Sequence, residues 1–566
     1  MRVCFLWMLG VATMLSGCQG ELAGGDLTVV EVAVVHTLAE SGSDATALAF
    51  DPEGRIVAVG SAGELRAAYP AARRVEFPGA TIIPGLIDAH AHLVGQGLAL
   101  LNARLDGTHS IGEVIERLQA HVAALPPKAW LLGRGWDQND WPEKAFPRAA
   151  DLDNAFPDRP VWLTRTDGHA GWANSAALAL AEAQLAASGA SLQGDWQPDG
   201  GRIYRDGNGV PTGIFVDGAM GLVGAVIPEP GAALLESALD RVLAETARLG
   251  LTEVHEAGTP WPVLQLYRRR LAEDRLPLRI YAMADGAGET LSQLCDNGPW
   301  LDADQRLVAR AVKLYADGAL GSRGAALLEP YSDEPESRGL LFHSAAEMTA
   351  LAERAMRCGL QVNTHAIGDA ANRQVLNAYA AAQQAVPDQP GRHRIEHAQV
   401  VALEDIPRFA ELGIIASMQP THAPSDLPWA GERIGPERLK GAYAWQRFRQ
   451  AGVRLALGSD FPVEPMNPLR GIEAAVTRQD ENGQPPGGFS PAQKLDRLTA
   501  LRGFTSDAAY AAFQENDLGT LEVGKFADFV VLDGDPMTVP AGEISALAVW
   551  ATYLAGREIY RRPDRP

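Results

Sequence analysis

Short apolar runs alternate with amphipathic helical patterns along the middle of the 566-residue chain. The runs that predict buried strands cover 82–88, 251–255, 278–284, 309–315, 361–365, 394–397, 413–418 and 453–459. The clearest helical patterns between them cover 232–249, 345–358, 370–385 and 403–411. Alternating strands and helices are typical of a parallel sheet with helices outside it, and eight such strands close a TIM-type barrel. We therefore predict an α/β fold built on a (β/α)8 barrel.

The two ends of the chain have a different texture. Residues 26–80 and 515–562 contain short alternating runs separated by turn signals such as the DPEG at 51–54, a pattern typical of β-hairpins. Neither segment is long enough to bury a good core alone, and chain ends often meet. We expect the two segments to form one composite β-sandwich. The barrel would then comprise 81–95 plus 245–514.

A long segment separates the first two predicted barrel strands. It spans roughly 160 residues, whereas an ordinary connection between strand and helix has about 2–6. Within it, turns rich in Gly, Trp and Asp alternate with short strand patterns, as in GRGWDQNDWP and TDGHAGWAN. We predict an inserted domain over 96–244 that covers the mouth of the barrel.

The charge balance disfavours some partners. The chain carries 49 basic and 70 acidic residues, a formal net charge of −21. Such a surface repels nucleic acid and favours solubility, so we expect no nucleic-acid partner. Lysine is scarce, which makes Lys313 within the apolar run 311–315 conspicuous. A buried ammonium is costly unless it is paired, deprotonated or chemically changed.

The first 18 residues predict a targeting segment. Arg2 supplies the positive charge and residues 3–15 the apolar stretch, and the sequence LSGC at 15–18 resembles the lipobox of bacterial lipoproteins. By that resemblance Cys18 would be lipidated and would tether the protein to a membrane, with the folded part facing the periplasm. Gln19, at the position after the lipidated cysteine, matches the pattern of lipoproteins in the outer membrane. An ordinary secretory leader is the alternative. Beyond the leader and Cys18, the chain has only Cys295 and Cys358, which need not pair and imply no disulfide framework.

Polar residues with metal-binding side chains close several of the predicted strands. They are His90, His92, Lys313, His365, His397 and Asp460. Because side chains alternate along a strand, the two histidines of an H-x-H point the same way and can grip one ion. Alone, that motif more often marks two solvated histidines. Joined by ligand types at four other strand ends, on the face where barrel active sites lie, it predicts a metal centre.

These motifs resemble the amidohydrolase superfamily, and within it the branch of N-substituted formamide deformylase and its YtcJ-like relatives. The resemblance rests on PGLIDAHAHL, GRGWDQNDWP, LTRTDGHAGWANSAAL, VKLYADGALGSRGA, THAIGDAAN, RIEHAQ, GSDFPVEPMNP and LGTLEVGKFADFVVLD. It covers nearly the whole chain after the leader. It is specific for family and fold, and much less so for substrate.

The resemblance implies roles for the metal-binding residues. His90, His92 and Asp460 would hold a buried metal, and His365 and His397 would hold a second. Lys313 matches a lysine that is carbamylated in many members and bridges both ions; a substrate-binding or structural lysine in a one-metal site is the alternative. Two Zn²⁺ ions suit the imidazole and carboxylate donors, although Mn²⁺ or Fe²⁺ would also fit. The resemblance also implies that the protein forms a homodimer.

The predicted reaction is hydrolysis of a non-peptide amide C–N bond in a small N-substituted amide. Metal coordination would make water a nucleophile near neutral pH, and Asp460 would pass its proton to the leaving nitrogen. Hydrolysis of cyclic amides, deamination or dipeptidase-like activity on the same barrel are alternatives. A non-catalytic binding lipoprotein is the alternative from another class, and the complete ligand set argues against it.

Further residues are weaker substrate-binding candidates. His255 ends the second predicted strand, His422 follows the seventh, and Ser322 and Arg323 lie on the loop after the fourth. Structural roles are as plausible for each of them: a packed histidine, a loop-forming serine or a solvated arginine. His169 could reach the site from the inserted domain or stabilise a turn. Trp136, with Trp141 and Trp172, could line an entrance or pack in a core.

Overall fold

The computed structural model describes residues 26–39, 45–123, 125, 129–187, 189–198 and 200–563. The predicted leader and Cys18 lie outside the described residues. Among the residues that are described, no helix is long and apolar enough to cross a membrane.

The strands fall into four groups along the chain. The first group is β1 (Thr28–Val35), β2 (Ala45–Phe50), β3 (Ile56–Gly60), β4 (Arg73–Glu76), β5 (Thr81–Pro84) and β6 (Leu86–Ala91). The second is β7 (Ala103–Arg104), β8 (Leu131–Trp136), β9 (Val161–Arg165), β10 (Ala170–Ala173), β11 (Gly201–Arg205) and β12 (Pro211–Asp217). The third is β13 (Leu251–Thr259), β14 (Arg279–Asp285), β15 (Trp300–Leu301), β16 (Leu307–Tyr315), β17 (Gln361–Ala366), β18 (Arg394–His397), β19 (Ile415–Met418) and β20 (Leu455–Leu457). The last is β21 (Phe529–Leu532), β22 (Val549–Leu554) and β23 (Arg557–Arg561).

Helices connect most of these strands. In chain order they are α1 (Ala62–Ala68), α2 (Leu93–Ala99), α3 (Ile111–Val122), α4 (Ala149–Asp153), α5 (Ser175–Ala186), α6 (Met220–Gly224), α7 (Ala232–Arg248), α8 (Trp261–Ala272), α9 (Glu289–Asn297), α10 (Ala345–Arg357), α11 (Asp369–Ala385), α12 (Ile406–Glu411), α13 (His422–Arg438), α14 (Trp445–Gln450), α15 (Pro468–Thr477), α16 (Arg497–Gly503) and α17 (Ser506–Ala511). The helix α13 is interrupted by the non-helical Gly435.

The central sheet confirms the predicted barrel fold. Its order is β20-β19-β18-β17-β16-β14-β13-β6, and every neighbouring pair in that order is parallel. One predicted strand was wrong in its bounds, because the run 82–88 belongs to two sheets. The chain leaves β5 and enters β6 at Gly85, where a Cβ would lie 2.2 Å from the Thr252 hydroxyl oxygen. Only a glycine lets the backbone pass so close to the second barrel strand.

The barrel is closed between β6 and the loop after β20 by hydrogen bonds to one buried carboxylate. Asp88 accepts from the Ser459 hydroxyl at 2.6 Å, from the Ser459 amide at 3.0 Å and from the His90 amide at 3.2 Å. The amide of Asp460 donates to the carbonyl of His90 at 2.7 Å. These bonds place the residues after the last strand directly beside the end of the first.

Strands from both ends of the chain share a second sheet. Its order is β23-β22-β21-β5-β1-β2-β3, with β4 paired to β1. The two ends meet where β21 pairs antiparallel with β5, and Phe529 and Tyr553 stack in the apolar cluster of this sheet at a centroid distance of 4.4 Å. Strands from the two terminal segments are therefore hydrogen-bonded within one sheet.

A third sheet lies wholly within the predicted insertion. Its order is β11-β12-β10-β9-β8-β7, and its apolar core contains Trp136, Trp141 and Trp172. The indole N–H of Trp136 donates to the carbonyl of Leu163 at 2.9 Å. Three large aromatic side chains thus give this unit a core of its own.

A disulfide joins two neighbouring segments outside the barrel. Cys295, in α9, bonds to Cys358 at the end of α10. Their separation of 63 residues left the pairing open in the sequence. Only the packing of β14, β16 and their helices brings the two thiols together.

A methyl group at Gly458 should disturb the barrel closure. A Cβ there would lie 2.6 Å from both the Asp88 carboxylate and the His90 amide nitrogen, whereas at Gly431 it would meet nothing within 4 Å. We expect Gly458→Ala to lower the free energy of unfolding by about 1–3 kcal/mol, as overpacking does. Gly431→Ala is the matched control, and urea denaturation of both variants is the measurement. Equal midpoints would contradict this account of the closure.

Candidate metal centre

The barrel topology brings the six predicted ligands to one mouth. His90 lies in β6, Lys313 in β16, His365 in β17 and His397 at the end of β18. His92 directly follows β6, and Asp460 follows β20. Since these strands are parallel, their carboxyl ends lie on the same side of the barrel.

The Asp460 carboxylate lies at the centre of this group. Its Oδ1 is 3.2 Å from His92 Nε2 and 3.5 Å from His90 Nε2, and its Oδ2 is 4.0 Å from His397 Nδ1. Lys313 Nζ lies 3.1 Å from His90 Nε2. The ring of His365 lies 4.6 Å from that of His397. The structure therefore brings all six side chains together.

The donor atoms fit a divalent metal ion. Ligand atoms of His90, His397 and Asp460 lie within 4.8 Å of one another, and all three side chains are buried. His365 Nε2 and Asp460 Oδ1 are also enclosed, and neither forms a hydrogen bond of good geometry among the described residues, although His92 Nε2 lies 3.2 Å from Asp460 Oδ1. Buried polar atoms are costly when they stay unsatisfied, and imidazole with carboxylate is a ligand set typical of Zn²⁺. These residues meet the chemical requirements of a metal site.

Burial favours the neutral form of three candidate ligands, His90, His365 and His397. It lowers the pKa of His90 to about 4, assisted by Lys313, and it holds the pKa of His365 and of His397 well below the usual range. Burial opposes ionisation of Asp460, yet the neighbouring His90, His422 and His92 hold its pKa well below the ordinary value. Neutral imidazoles beside an ionised carboxylate are the protonation states that bind metal.

Lys313 is exceptional in this setting. Its side chain is almost fully buried, and burial lowers its pKa to about 8 even though Glu396 and Asp460 favour the ammonium. Its amine also lies 4.9 Å from the centre of the Tyr315 ring. Carbamylation of Lys313 stays a prediction.

Residues that sequence reasoning missed orient the ligands. His90 Nδ1 is hydrogen-bonded to Glu396 Oε2, which turns Nε2 toward Asp460. Arg394 Nε lies 2.7 Å from Glu396 Oε1, and Gln419 Oε1 lies 2.8 Å from His397 Nδ1. Partners of this kind fix the tautomer and direction of a ligating imidazole. The signal available in the sequence was an Arg and a Glu within the buried run that ends at His397.

A cavity of about 710 Å³ opens above these ligands. Barrel loops form one wall and the inserted unit the other, with lining residues that include Arg134, Arg165, Asp167, His169, His422 and Trp429. His422 Nε2 lies 3.5 Å from Asp460 Oδ2, and its Nδ1 lies 3.1 Å from Glu464. Although burial opposes it, hydrogen bonds with Asp460 and Glu464 raise the pKa of His422 to about 10. A cationic imidazole from the barrel and side chains from the inserted unit therefore line the same cavity.

His169 also reaches the cavity from the insertion. Its Nδ1 lies 2.7 Å from Asp217 Oδ1, and its ring lies 5.3 Å from that of His365. Hydrogen bonding with Asp217 raises the pKa of His169 against the effect of burial. Of the weaker candidates, His169 and His422 are therefore the two that line the cavity.

The structure does not bring the other weaker candidates to the cavity. His255 lies inside the barrel, where Arg394 Nη1 is 3.0 Å from its Nδ1. The Ser322 hydroxyl donates to the carbonyl of Ala319, and Arg323 forms an ion pair with Asp333 at 2.9 Å. Trp136 belongs to the core of the inserted sheet. Contacts within the chain therefore hold each of these four side chains away from the cavity.

Comparison with known proteins assigns the family. A model described as the amidohydrolase family matches residues 78–560, and one for the imidazolonepropionase-like composite domain of bacteria matches residues 53–72. The YtcJ protein of Bacillus subtilis (strain 168) is 33% identical over 540 residues, covering 93% of this chain and 98% of that protein. N-substituted formamide deformylase of Arthrobacter pascens is 31% identical over 534 residues, covering 90% and 94%.

A solved structure supports the same assignment. An uncharacterised metal-dependent hydrolase of Pyrococcus horikoshii OT3 superimposes with a TM-score of 0.73 at 27% identity, covering 91% of this chain and 99% of that one. The chain belongs to the amidohydrolase family, and its class is that of metal-dependent hydrolases.

Removal of the charge on Glu396 should weaken metal binding. Glu396→Gln keeps the shape of the side chain but replaces a carboxylate that is hydrogen-bonded to His90 Nδ1. We expect roughly a 10- to 100-fold lower metal affinity, measured by competition with a chelator, because such partners raise the basicity of a ligating imidazole. Asp140→Asn is the control, because this cavity acid forms no hydrogen bond or ion pair with a predicted metal ligand in the described part of the chain. Unchanged affinity in Glu396→Gln would show that the carboxylate has no such role.

Proposed function

We propose that the protein hydrolyses the C–N bond of a small, non-peptide N-substituted amide. The observation that carries the proposal is the convergence of four imidazoles, Asp460 and Lys313 beneath a cavity of about 710 Å³. The Arthrobacter pascens relative, named for N-substituted formamide deformylation, supports the amide class. It covers most of this chain at 31% identity.

In this proposal the site holds two divalent ions, with Zn²⁺ the best match. His90, His92 and Asp460 would hold one, His365 and His397 the other, and a carbamylated Lys313 would bridge them. A bare ammonium beside two dications would be repelled, whereas a carbamate is an anionic oxygen ligand. When bound, such ions polarise a substrate carbonyl and lower the pKa of water.

The side chains of the cavity can carry the proton transfers. Asp460 is held ionised by its histidine neighbours, so it can accept a proton from the attacking water. The same carboxylate can return that proton to the amide nitrogen, which then leaves as a neutral amine rather than as a strongly basic anion. His422, oriented by Glu464 at 3.1 Å, can donate a hydrogen bond to the carbonyl oxygen. The inserted unit, which lines the other wall of the cavity, would limit the access of bulk water to this chemistry.

We also propose an envelope location, with a membrane tether through lipidated Cys18 and possible homodimer formation. The disulfide between Cys295 and Cys358 supports export, because such bonds persist in oxidising compartments. Mass spectrometry of the membrane fraction would test the lipid on Cys18.

Metal content and amide hydrolysis should depend on the same residues. For protein expressed without residues 1–25, we expect about two metal equivalents per protomer, falling in Lys313→Ala, as read by elemental analysis. Asp460→Asn should lower kcat on N-substituted formamides roughly 100- to 10,000-fold, the range for loss of a general acid–base group. His121→Ala, a histidine on α3 outside the cavity, is the control.

Two results would contradict this proposal. One metal equivalent that is unchanged in Lys313→Ala would indicate a one-metal site and favour deaminase-like chemistry. Turnover of cyclic amides or dipeptides, without turnover of any N-substituted amide, would reassign the substrate class on the same barrel.

A further inference from the structure

One arginine of the inserted unit faces the cavity with most of its hydrogen-bonding capacity unused. Arg134, in β8, lines the cavity together with His92 and Asp460. Its Nη2 donates to the carbonyl of Thr166 at 2.8 Å, and its Nε is enclosed without a hydrogen-bond partner. No carboxylate of the described residues forms an ion pair with it. A guanidinium has five N–H donors, so this one is poorly satisfied.

The neighbouring arginine shows the contrast. Arg165 is buried between Asp137 and Asp167, with Nη–Oδ distances of 2.5 Å to each. The same sheet therefore presents two guanidinium groups at one wall. One is neutralised within the chain, and the other is not.

The acidic side chains around Arg134 are already engaged. Asp167 is paired with Arg165, and Glu464 is bonded to His422 and to the Ser425 hydroxyl at 2.5 Å. Asp426 accepts from the Tyr443 hydroxyl at 2.7 Å. Asp167 and Asp460 act on Arg134 only at longer range, and burial lowers its pKa despite both. The positive charge of Arg134 thus lacks a close counter-ion.

Arg134 also stands where two cavities meet. A second cavity of about 660 Å³ shares Arg134, Thr166 and the loop 462–464 with the first. Two other arginines on the wall of this second cavity have carboxylate partners: Arg104 pairs with Asp106 at 3.0 Å, and Arg248 pairs with Glu245. A group that reaches outward from the metal centre toward this junction would meet the guanidinium.

We propose that Arg134 binds a carboxylate of the substrate, so that the preferred substrates are N-substituted amides with an acidic group on the substituent. The inference rests on the proposed function, which it narrows to one substrate class. A guanidinium and a carboxylate form two parallel charge-assisted hydrogen bonds. Such a pair would use the Nη donors of Arg134 and supply the missing counter-ion. Arg134 is then a specificity-determining residue.

The test compares two formamides that differ in the acidic group. N-formyl-4-aminobutyrate carries the carboxylate, and N-butylformamide is its neutral counterpart; N-formylglycine and N-formyl-β-alanine vary the spacing. We expect the native enzyme to favour the best carboxylate substrate in kcat/KM by roughly 10- to 100-fold, the value of hydrogen bonds to a charged group. Arg134→Gln should abolish that ratio, and Arg134→Lys should retain part of it. Arg104→Gln, on the same wall but paired with Asp106, should leave the ratio unchanged.

A binding measurement separates this inference from the proposed function. Calorimetric titration with 4-aminobutyrate and with butylamine compares the same two groups without turnover. Binding of the carboxylate that is lost in Arg134→Gln would support the subsite even if neither formamide were hydrolysed, in which case the proposed function fails alone. An equal kcat/KM for acidic and neutral formamides at every spacing, or carboxylate binding that survives Arg134→Gln, would overturn the inference. The ratio of two substrates on one protein cancels any loss of folded or metal-loaded enzyme.

Discussion

The carboxylate of Asp88 closes the barrel, and the metal centre depends on that closure. It accepts hydrogen bonds from Ser459 and from the amide of His90, and so joins the first barrel strand to the loop after the last. Asp460 follows immediately, and its own amide donates to the carbonyl of His90. The central carboxylate and the two histidines of the H-x-H therefore come together through one junction. Gly458 is part of the same junction because no side chain fits between Asp88 and His90.

A second constraint is the charge enclosed inside the barrel. Arg394 and Glu396 are fully buried and bonded to each other, and Glu396 is bonded to His90. Removing one partner of a buried ion pair leaves an uncompensated charge, so the loss of either side chain would destabilise the whole network. It couples the direction of a metal-binding imidazole to the packing of β18. These interior polar groups thus orient His90 for binding a cation in the absence of substrate.

The barrel and the insertion supply different parts of the site, which allows substrate specificity to change without a change in the metal ligands. The barrel supplies the six candidate metal ligands, while the inserted sheet supplies Arg134, Arg165, Asp167 and His169 to the opposite wall of the cavity. A barrel mouth of this kind defines a class of reaction, and the groups that face it define the substrate. Membership of the amidohydrolase family therefore indicates the class of reaction, whereas the choice of substrate depends on the residues of the insertion.

The amino-acid sequence alone was enough to predict the barrel and its candidate ligands. Both follow from local pattern: apolar runs of strand length, helices between them, and a histidine, lysine or aspartate at or just after the end of several runs. Local pattern could not show that 82–88 divides between two sheets, since that depends on the close approach of Gly85 to Thr252. Nor could it show the bond between His90 and Glu396, which are 306 positions apart, or place Trp136 in a core and His255 inside the barrel. Spacing along a strand determines which residues share a face. The packing of the sheets and the insertion against one another decides which distant residues share a cavity, as Arg134 and Asp460 do.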